Sequence, residues 1–393
     1  MNKIPSARPL QILTALCNLP TAPYREQAVV AWLLTWAQAH SKQICVTRDR
    51  VGNLFLEYSR GPKSKSPLII EAHMDHPGFI VKKSFASGKV ICAFRGNVRP
   101  DLCKNAHAKF WHDGQWVPAK VLRVNADAAE RITEATLQLT ASPVFLPKDT
   151  LGMWDLPDAS IQNNLFRARV CDDLGGVAAI ISLLEELIAK KARAHMIGLL
   201  SRAEEVGFAG VLAVCETRGI PQNSPVIGLE TSKALPNARQ GDGAIIRVGD
   251  RTSIFSSGLT AFITAAATSL ASEDKSFRFQ RKLMDGGTCN SSAFLAYGYD
   301  SAALCVPLGN YHNQHLPGEA GYGEVPTAGP GIGSETVHVH DFAGMVRILV
   351  RVVETIRTYR PGMGVLQKRL HAIHRKEQVA LLRAPWKADG QHV

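Results

Sequence analysis

The 393-residue chain holds no long hydrophobic run. A membrane-spanning helix needs roughly 18 consecutive apolar residues, so no membrane association is expected. The start, MNKIPSARPLQILTAL, has no long apolar core followed by a small-residue cleavage site, so no signal segment is expected. Close cysteine pairs are also missing. Cys17, Cys45, Cys92, Cys103, Cys171, Cys215, Cys289 and Cys305 are scattered, and none forms a CxxC pair. That excludes a zinc ribbon or a disulfide framework and leads us to expect reduced, mostly buried thiols in a cytoplasmic protein. There is no internal repeat. With 46% hydrophobic and 20% charged residues, the chain is not of a disordered or fibrous kind.

Charge is present in excess of one sign. Lys and Arg number 45 against 34 Asp and Glu, a net charge of +11. A basic balance invites a nucleic-acid reading. However, from Arg357 to the end there are 8 basic and 2 acidic side chains, so this stretch supplies more than half of the excess. The body is only mildly basic, and no nucleic-acid groove is expected there.

Three kinds of pattern follow one another. Residues 25–40 have helical apolar spacing, and the first 60 residues read as a helix and then a strand. LIIEA at 68–72 reads as a buried strand after the breaker GPKSKSP. From 77 to about 165, short alternating segments separated by Gly, Asn, Asp and Pro predict a small all-β unit. Beyond Cys171, helices are predicted at 174–190, 206–217, 260–272, 289–297 and 341–359. Strands are predicted at 196–201, 226–230, 244–248 and 301–307. Alternating strands and helices predict an α/β domain, here interrupted by a β insert. The Gly/Pro-rich stretch 316–333 reads as a loop. The basic tail reads as a solvated helix with a disordered end.

Metal-capable side chains gather at strand ends in this layout. His73 and Asp75 follow LIIEA, Glu204 and Glu205 follow MIGLLS, Glu230 ends VIGLE, and His312 follows SAALCVP and a turn. Asp172 and Asp173 precede a long helix. Open α/β sheets bind ligands beyond the carboxyl ends of their strands, so these groups are expected to converge. Two His with several carboxylates and no thiolate suit zinc, manganese or cobalt in a catalytic site. So many carboxylates fit two cations roughly 3.5–4 Å apart, with one carboxylate bridging and another left as a base. Asp172 and Asp173 can also divide bridging and helix capping between them. VHVHD, with His338 and His340, reads as a strand or helix start. His107 and His112 read as surface residues of the insert.

HMDHPGFIV, CDDLGG, AEEVGFAGV, GLETSKA, GGTCNSSA and NYHNQ, in that order, resemble the cocatalytic dinuclear zinc peptidases of the glutamyl/tetrahedral aminopeptidase type. The likeness spans about residues 10–357 and includes the insert. It implies an α/β fold, a mixed sheet sandwiched by helices with an inserted small β-barrel-like domain. The implied division is 1–76 and 165–360 for the catalytic domain, 77–164 for the insert, and 361–393 for the tail. His73 would bind the first metal, with Asp75 orienting its ring. Asp172 would bridge. Glu204 would be the general base and Glu205 a ligand of the second metal. Glu230 would bind the first metal and His312 the second. Gly286, Gly287 and Thr288 match a glycine-rich turn near the substrate.

The resemblance implies two divalent ions, zinc with cobalt or manganese as alternatives. It also implies a short peptide or small amide substrate and self-association through the insert. Three departures stand out. Glu230 replaces the usual Asp, Cys289 replaces an acid in the glycine-rich turn, and the loop 316–333 delays the final helix. They keep open a deacylase or amidase acting on small N-acyl or amino-acid amides. An inactive scaffold, or a nucleic-acid binder through the tail, is a further alternative.

Overall fold

The computed structural model describes residues 7–140, 144–319, 321, 329–362 and 364–383. Residues 320 and 322–328 of the loop expected at 316–333, and the expected disordered end beyond 383, lie outside the described residues.

An 11-stranded mixed sheet forms the body. At its centre four strands run parallel in the order His195–Ser201, Leu68–His73, Pro225–Lys233, Asp300–Gly309. These are the most apolar segments of the chain, as expected for strands covered on both faces. Leu68–His73 shows how the two faces divide. Leu68, Ile70 and Ala72 enter the large core around the helix Leu174–Ala189, whereas Ile69 enters a smaller one with Val211 and Phe294 of the helices Ala209–Thr217 and Asn290–Ala296. Side chains alternate along a strand, so Glu71 and His73 share the face of Ile69. The helix Val339–Thr355 buries a continuous apolar stripe from Val339 to Val353 in the large core.

The insert is a closed six-stranded barrel. Its strands run from Gly78–Ser84 to Leu151–Trp154 and enclose their own core, in which the Phe79 ring meets Phe94 and Trp154 at 4.9 and 4.8 Å. Mixed sheet, flanking helices and inserted barrel together are the fold class read from the sequence. The strand Ser160–Gln162 falls within the range assigned to the insert, yet it pairs with Leu165–Ala168 on the large sheet. The barrel strands themselves end at Trp154.

Two local readings change. Glu230 does not end its strand, which runs on to Lys233. Glu204 and Glu205 do not lie on a strand end either: they form a short 3-10 turn, Glu204–Val206, entered through Ala203 in the left-handed region, and the following helix starts at Ala209. All eight cysteines are free. No helix among the described residues is long and apolar enough to cross a membrane.

Candidate metal centre

The carboxyl ends of the four parallel strands carry the site. His73 is the last residue of its strand and pairs in register with Ser201, so the turn holding Glu204 and Glu205 starts beside it. Asp172 lies immediately before the helix Leu174–Ala189. Its neighbour Asp173 caps that helix by accepting from the Gly176 N–H at 3.1 Å. Capping thus falls to Asp173, and the Asp172 carboxylate faces the cavity. His312 sits in the turn that follows Asp300–Gly309.

The two imidazoles face Asp172 from opposite sides. His73 Nε2 lies 3.4 Å from Asp172 Oδ1, and His312 Nε2 lies 3.6 Å from Asp172 Oδ2. His312 Nε2 is also 3.2 Å from Glu205 Oε1, and His73 Nε2 is 3.9 Å from Glu204 Oε2. In each ring the other nitrogen is occupied. His73 Nδ1 contacts the Asp75 carbonyl at 3.1 Å, and His312 Nδ1 contacts the Asn97 carbonyl at 2.8 Å. Such contacts favour a proton on Nδ1 and leave Nε2 to present its lone pair inward, as in metal sites. Asn97 belongs to the insert, so the barrel helps to orient a site residue.

Three sets of side chains bring ligand atoms within 4.8 Å of one another: His73 with Asp172 and Glu230, Asp172 with Glu205 and His312, and His73 with Glu204 and Glu205. Asp172 is common to the first two. Asp172 Oδ1, Glu205 Oε1 and Glu230 Oε1 are buried without a hydrogen-bond partner among the described residues. Buried carboxylate oxygens left bare are costly unless a cation or a proton satisfies them. The residues therefore fit divalent metal, with oxygen and imidazole donors and no thiolate.

The protonation tendencies point the same way. Burial raises Glu204 well above the usual carboxylate range and Glu230 to about 8, with the His73 charge opposing it in both. Burial would lower His73 and His312, but Glu204, Asp172 and Asp75 carry His73 well above its ordinary value. Glu205 and Asp172 carry His312 to about 9. For Asp172, burial is outweighed by His73, His312 and His76, which hold it low. Burial thus disfavours the bare carboxylate charge at Glu204 and Glu230, which a neighbouring positive charge relieves.

The sequence reading missed several supporting groups. Asp75 was read as orienting His73, and its Oδ1 does lie 3.5 Å from His73 Nδ1. Its carboxylate also accepts the backbone N–H groups of Glu204 and Glu205, at 2.9 and 3.1 Å. Glu335 accepts from the N–H groups of Cys171, Asp172 and His312, at 2.6, 3.0 and 2.9 Å. His76 Nδ1 contacts the Asp172 carbonyl at 2.6 Å. Tyr311 stacks on His312 at 3.8 Å between ring centres. Gly286, Gly287 and Thr288 line the same cavity as His73, Asp172, Glu204, Glu230 and His312. His338 ends a strand and His340 lies in the following helix.

A mixed α/β sheet carrying an inserted barrel and a cluster of His and carboxylates at its strand ends frames the comparison with known proteins. Residues 150–316, which hold Asp172, Glu204, Glu205, Glu230 and His312, match the family model described as M42 glutamyl aminopeptidase. Several solved structures share the fold. The TET aminopeptidase of the marine sediment archaeon Thaumarchaeota archaeon SCGC AB-539-E09 superposes with a TM-score of 0.72 at 14% identity, over 88% of this chain and 96% of that one. The Pyrococcus horikoshii TET1 peptidase gives 0.70 at 18%, over 88% and 99%. The aminopeptidase APDkam598 from the archaeon Desulfurococcus kamchatkensis gives 0.70 at 18%, over 88% and 95%. The resemblance drawn from the motifs is borne out by the match of residues 150–316 to the M42 glutamyl aminopeptidase model, and these structures share the fold of the whole chain.

Proposed function

We propose that the chain removes amino-terminal residues from short peptides with two divalent ions, zinc in the first instance. The observation that carries this reading is Asp172, whose two carboxylate oxygens each face a different histidine. One ion would be held by His73, Asp172 and Glu230, the other by Asp172, Glu205 and His312. When bound, the ions supply Lewis acidity to the scissile carbonyl and acidify water.

The chain's own residues do the rest. Glu204 lies beside both sets and is raised by burial, which suits a carboxylate that takes a proton and gives it back. It accepts the proton of the attacking water and delivers it to the nitrogen of the leaving amine. Asp75 fixes the turn that carries Glu204 through the two backbone N–H groups it accepts. The turn at Gly286, Gly287 and Thr288 forms a wall against which the substrate backbone lies.

Assembly and location belong to the same reading. One structure of similar fold is a dodecamer, and the Pyrococcus horikoshii peptidase assembles into a tetrahedron or a large octahedral shell. That likeness supports self-association of this chain, which analytical ultracentrifugation reads; we assign the contact to the barrel. Eight free cysteines fit a reducing compartment, and we assign the cytoplasm.

A substrate panel with zinc, cobalt and manganese tests the activity. Aminoacyl p-nitroanilides should be cleaved and N-acyl amino acids should not. The reverse would make the chain a deacylase. Glu204→Gln should keep about two ions per chain and lose roughly 10²–10⁴ in kcat. Full activity in that variant would remove Glu204 from the mechanism.

A further inference from the structure

The strand Phe279–Met284 forms one edge of the large sheet. It pairs parallel with Ala244–Asp250, and among the described residues no strand pairs with its other side. A row of backbone N–H and C=O groups is open there, a template on which an extended chain adds as a further strand. The strand also leads to the metal centre. Its last residue, Met284, lines the metal cavity, and the chain runs on through Asp285 into Gly286, Gly287 and Thr288, which wall the same cavity. Along the start of the strand lies an open groove of about 700 Å³, bordered by Arg278, Phe279, Gln280, Arg281 and Lys282.

The edge is basic. Between Lys275 and Thr288 there are four basic side chains and one acid, Asp285. Arg278, Arg281 and Lys282 form no ion pair among the described residues, whereas neighbouring Arg239 meets Asp242 at 3.6 Å. Met284 enters a small core with Ile245 and Cys305, and Lys282 shares its face by alternation. Arg281 and Leu283 point to the opposite face and are exposed. Charges on an edge strand also discourage aggregation, but that role needs no run into a cavity.

The direction of the strand fixes how a peptide lies on it. Phe279–Met284 points its carboxyl end at the metal cavity. An aminopeptidase substrate has its amino terminus at the metals, so its later residues run back along the strand, antiparallel to it. Antiparallel pairing is the more stable kind per residue. The first two residues flank the scissile bond inside the cavity, and pairing starts with the third.

We propose that the open edge of Phe279–Met284 is the docking strand for the body of the peptide substrate. The peptide adds antiparallel from its third residue on, and Arg281 and Lys282 favour acidic side chains on that stretch. This inference rests on the aminopeptidase reading of the metal centre. It deepens that reading by naming the substrate as an extended peptide held by its backbone, not by its first side chain.

The test uses pentapeptides whose first residue is that of the aminoacyl p-nitroanilide cleaved fastest, with alanine elsewhere. Single backbone nitrogens are methylated at the third, fourth and fifth residues. KM should rise about 3- to 10-fold at alternate positions only, because successive N–H groups of a paired strand point to opposite sides. Glutamate at the third and fourth residues should be favoured over lysine by about 3- to 10-fold in kcat/KM. Arg281→Glu combined with Lys282→Glu should reverse that preference. A flat methylation scan, or an equal rise at all three nitrogens, overturns the docking strand. The flat scan is also the result expected if another copy of the chain covers this edge. A preference unmoved by the double variant overturns the role of the two basic side chains.

If neither anilides nor pentapeptides are cleaved, the aminopeptidase reading fails and binding alone decides the docking strand. The probe is Ala-Ala-Glu-Glu-Ala with fluorescein at its carboxyl end, followed by anisotropy against the zinc-loaded protein. Binding should saturate and weaken about 3- to 10-fold on methylation at alternate nitrogens. Absence of saturable binding would refute the docking strand as well.

Discussion

At the scale of single residues, the site is organised by carboxylates that never face the cavity. Glu335 is fully buried and accepts from three backbone N–H groups, two beside Asp172 and one at His312. Its Oε2 takes Cys171 and Asp172, and its Oε1 takes His312, so one side chain ties two distant chain segments into register. Replacing one oxygen by an NH₂ group sets a donor against a donor and leaves a buried N–H unpaired. Glu335→Gln should therefore weaken zinc binding about 10- to 100-fold, the usual cost of losing an outer partner of a ligand. Competition with a chromogenic chelator reads this directly. An unchanged affinity would show that the His312 and Asp172 loops hold themselves in place.

The same residue shows what the sequence could and could not say about the site. His73, Asp172, Glu204, Glu205, Glu230 and His312 stand out as metal-capable side chains within or shortly after apolar strands and before the long helix. Glu335, His76 and the second role of Asp75 act on backbone N–H and C=O groups. Those partners carry no letter in a sequence. Arg247 reads on paper as one charge in the short apolar segment AIIRV. Only the fold shows it buried in the wall of the metal cavity.

At the scale of elements, regular periodicity was legible and irregular pairing was not. The helices predicted at 174–190 and 341–359 are found at Leu174–Ala189 and Val339–Thr355, because a buried stripe at 3.6-residue spacing leaves little choice. The helix Ala7–Cys17 and the strand Phe279–Met284 went unseen. Among the described residues Phe279–Met284 pairs only with Ala244–Asp250, and it exposes Arg281, so it lacks the apolar run of a central strand. The order in which strands pair depends on contacts hundreds of residues apart, and no local pattern encodes it.

Helix pairing also yields a pH prediction. The helix Ser257–Glu273 and the helix Val339–Thr355 are joined at the surface by Arg351, which forks onto Glu273 at 2.8 and 2.7 Å. Arg351 is the main cause that lowers Glu273 from 4.5 to about 2, with Ser269 assisting. A carboxylate depressed in the folded state adds stability above its unfolded value. That stability is lost as pH falls from about 4.5 towards 2. The pair is exposed, so the energy is small and screened by salt. The titration itself is the sharper readout. A carboxyl-carbon NMR titration should place the Glu273 midpoint near 2. Arg351→Met should move it up towards the ordinary value. A midpoint already near 4.5 in the native protein would mean that the fork does not persist in solution.

At the scale of the whole molecule, the net charge of +11 and the acidic metal centre belong to different parts of the chain. The centre is buried among the ends of the parallel strands. The basic excess is concentrated after Arg357. The helix Gly364–Arg383 is the structured part of that tail, and its described side chains are all exposed, Leu370, Ile373 and Leu382 included. The core of the body closes without it: Tyr359 packs beside Phe262 and donates to Asp300 just before the tail begins. Burial is what converts apolar side chains into stability, and these have none. Truncation after Pro361 removes six basic and two acidic side chains and should shift the melting temperature by less than about 2 °C. It should leave kcat/KM on aminoacyl anilides unchanged, since no described residue of the tail lines the metal cavity. Thermal unfolding of the two forms side by side decides the point. A fall of several degrees would mean that the exposed leucines are covered in solution. The concentration dependence of that fall would then separate cover by another copy of the chain from cover by the body itself.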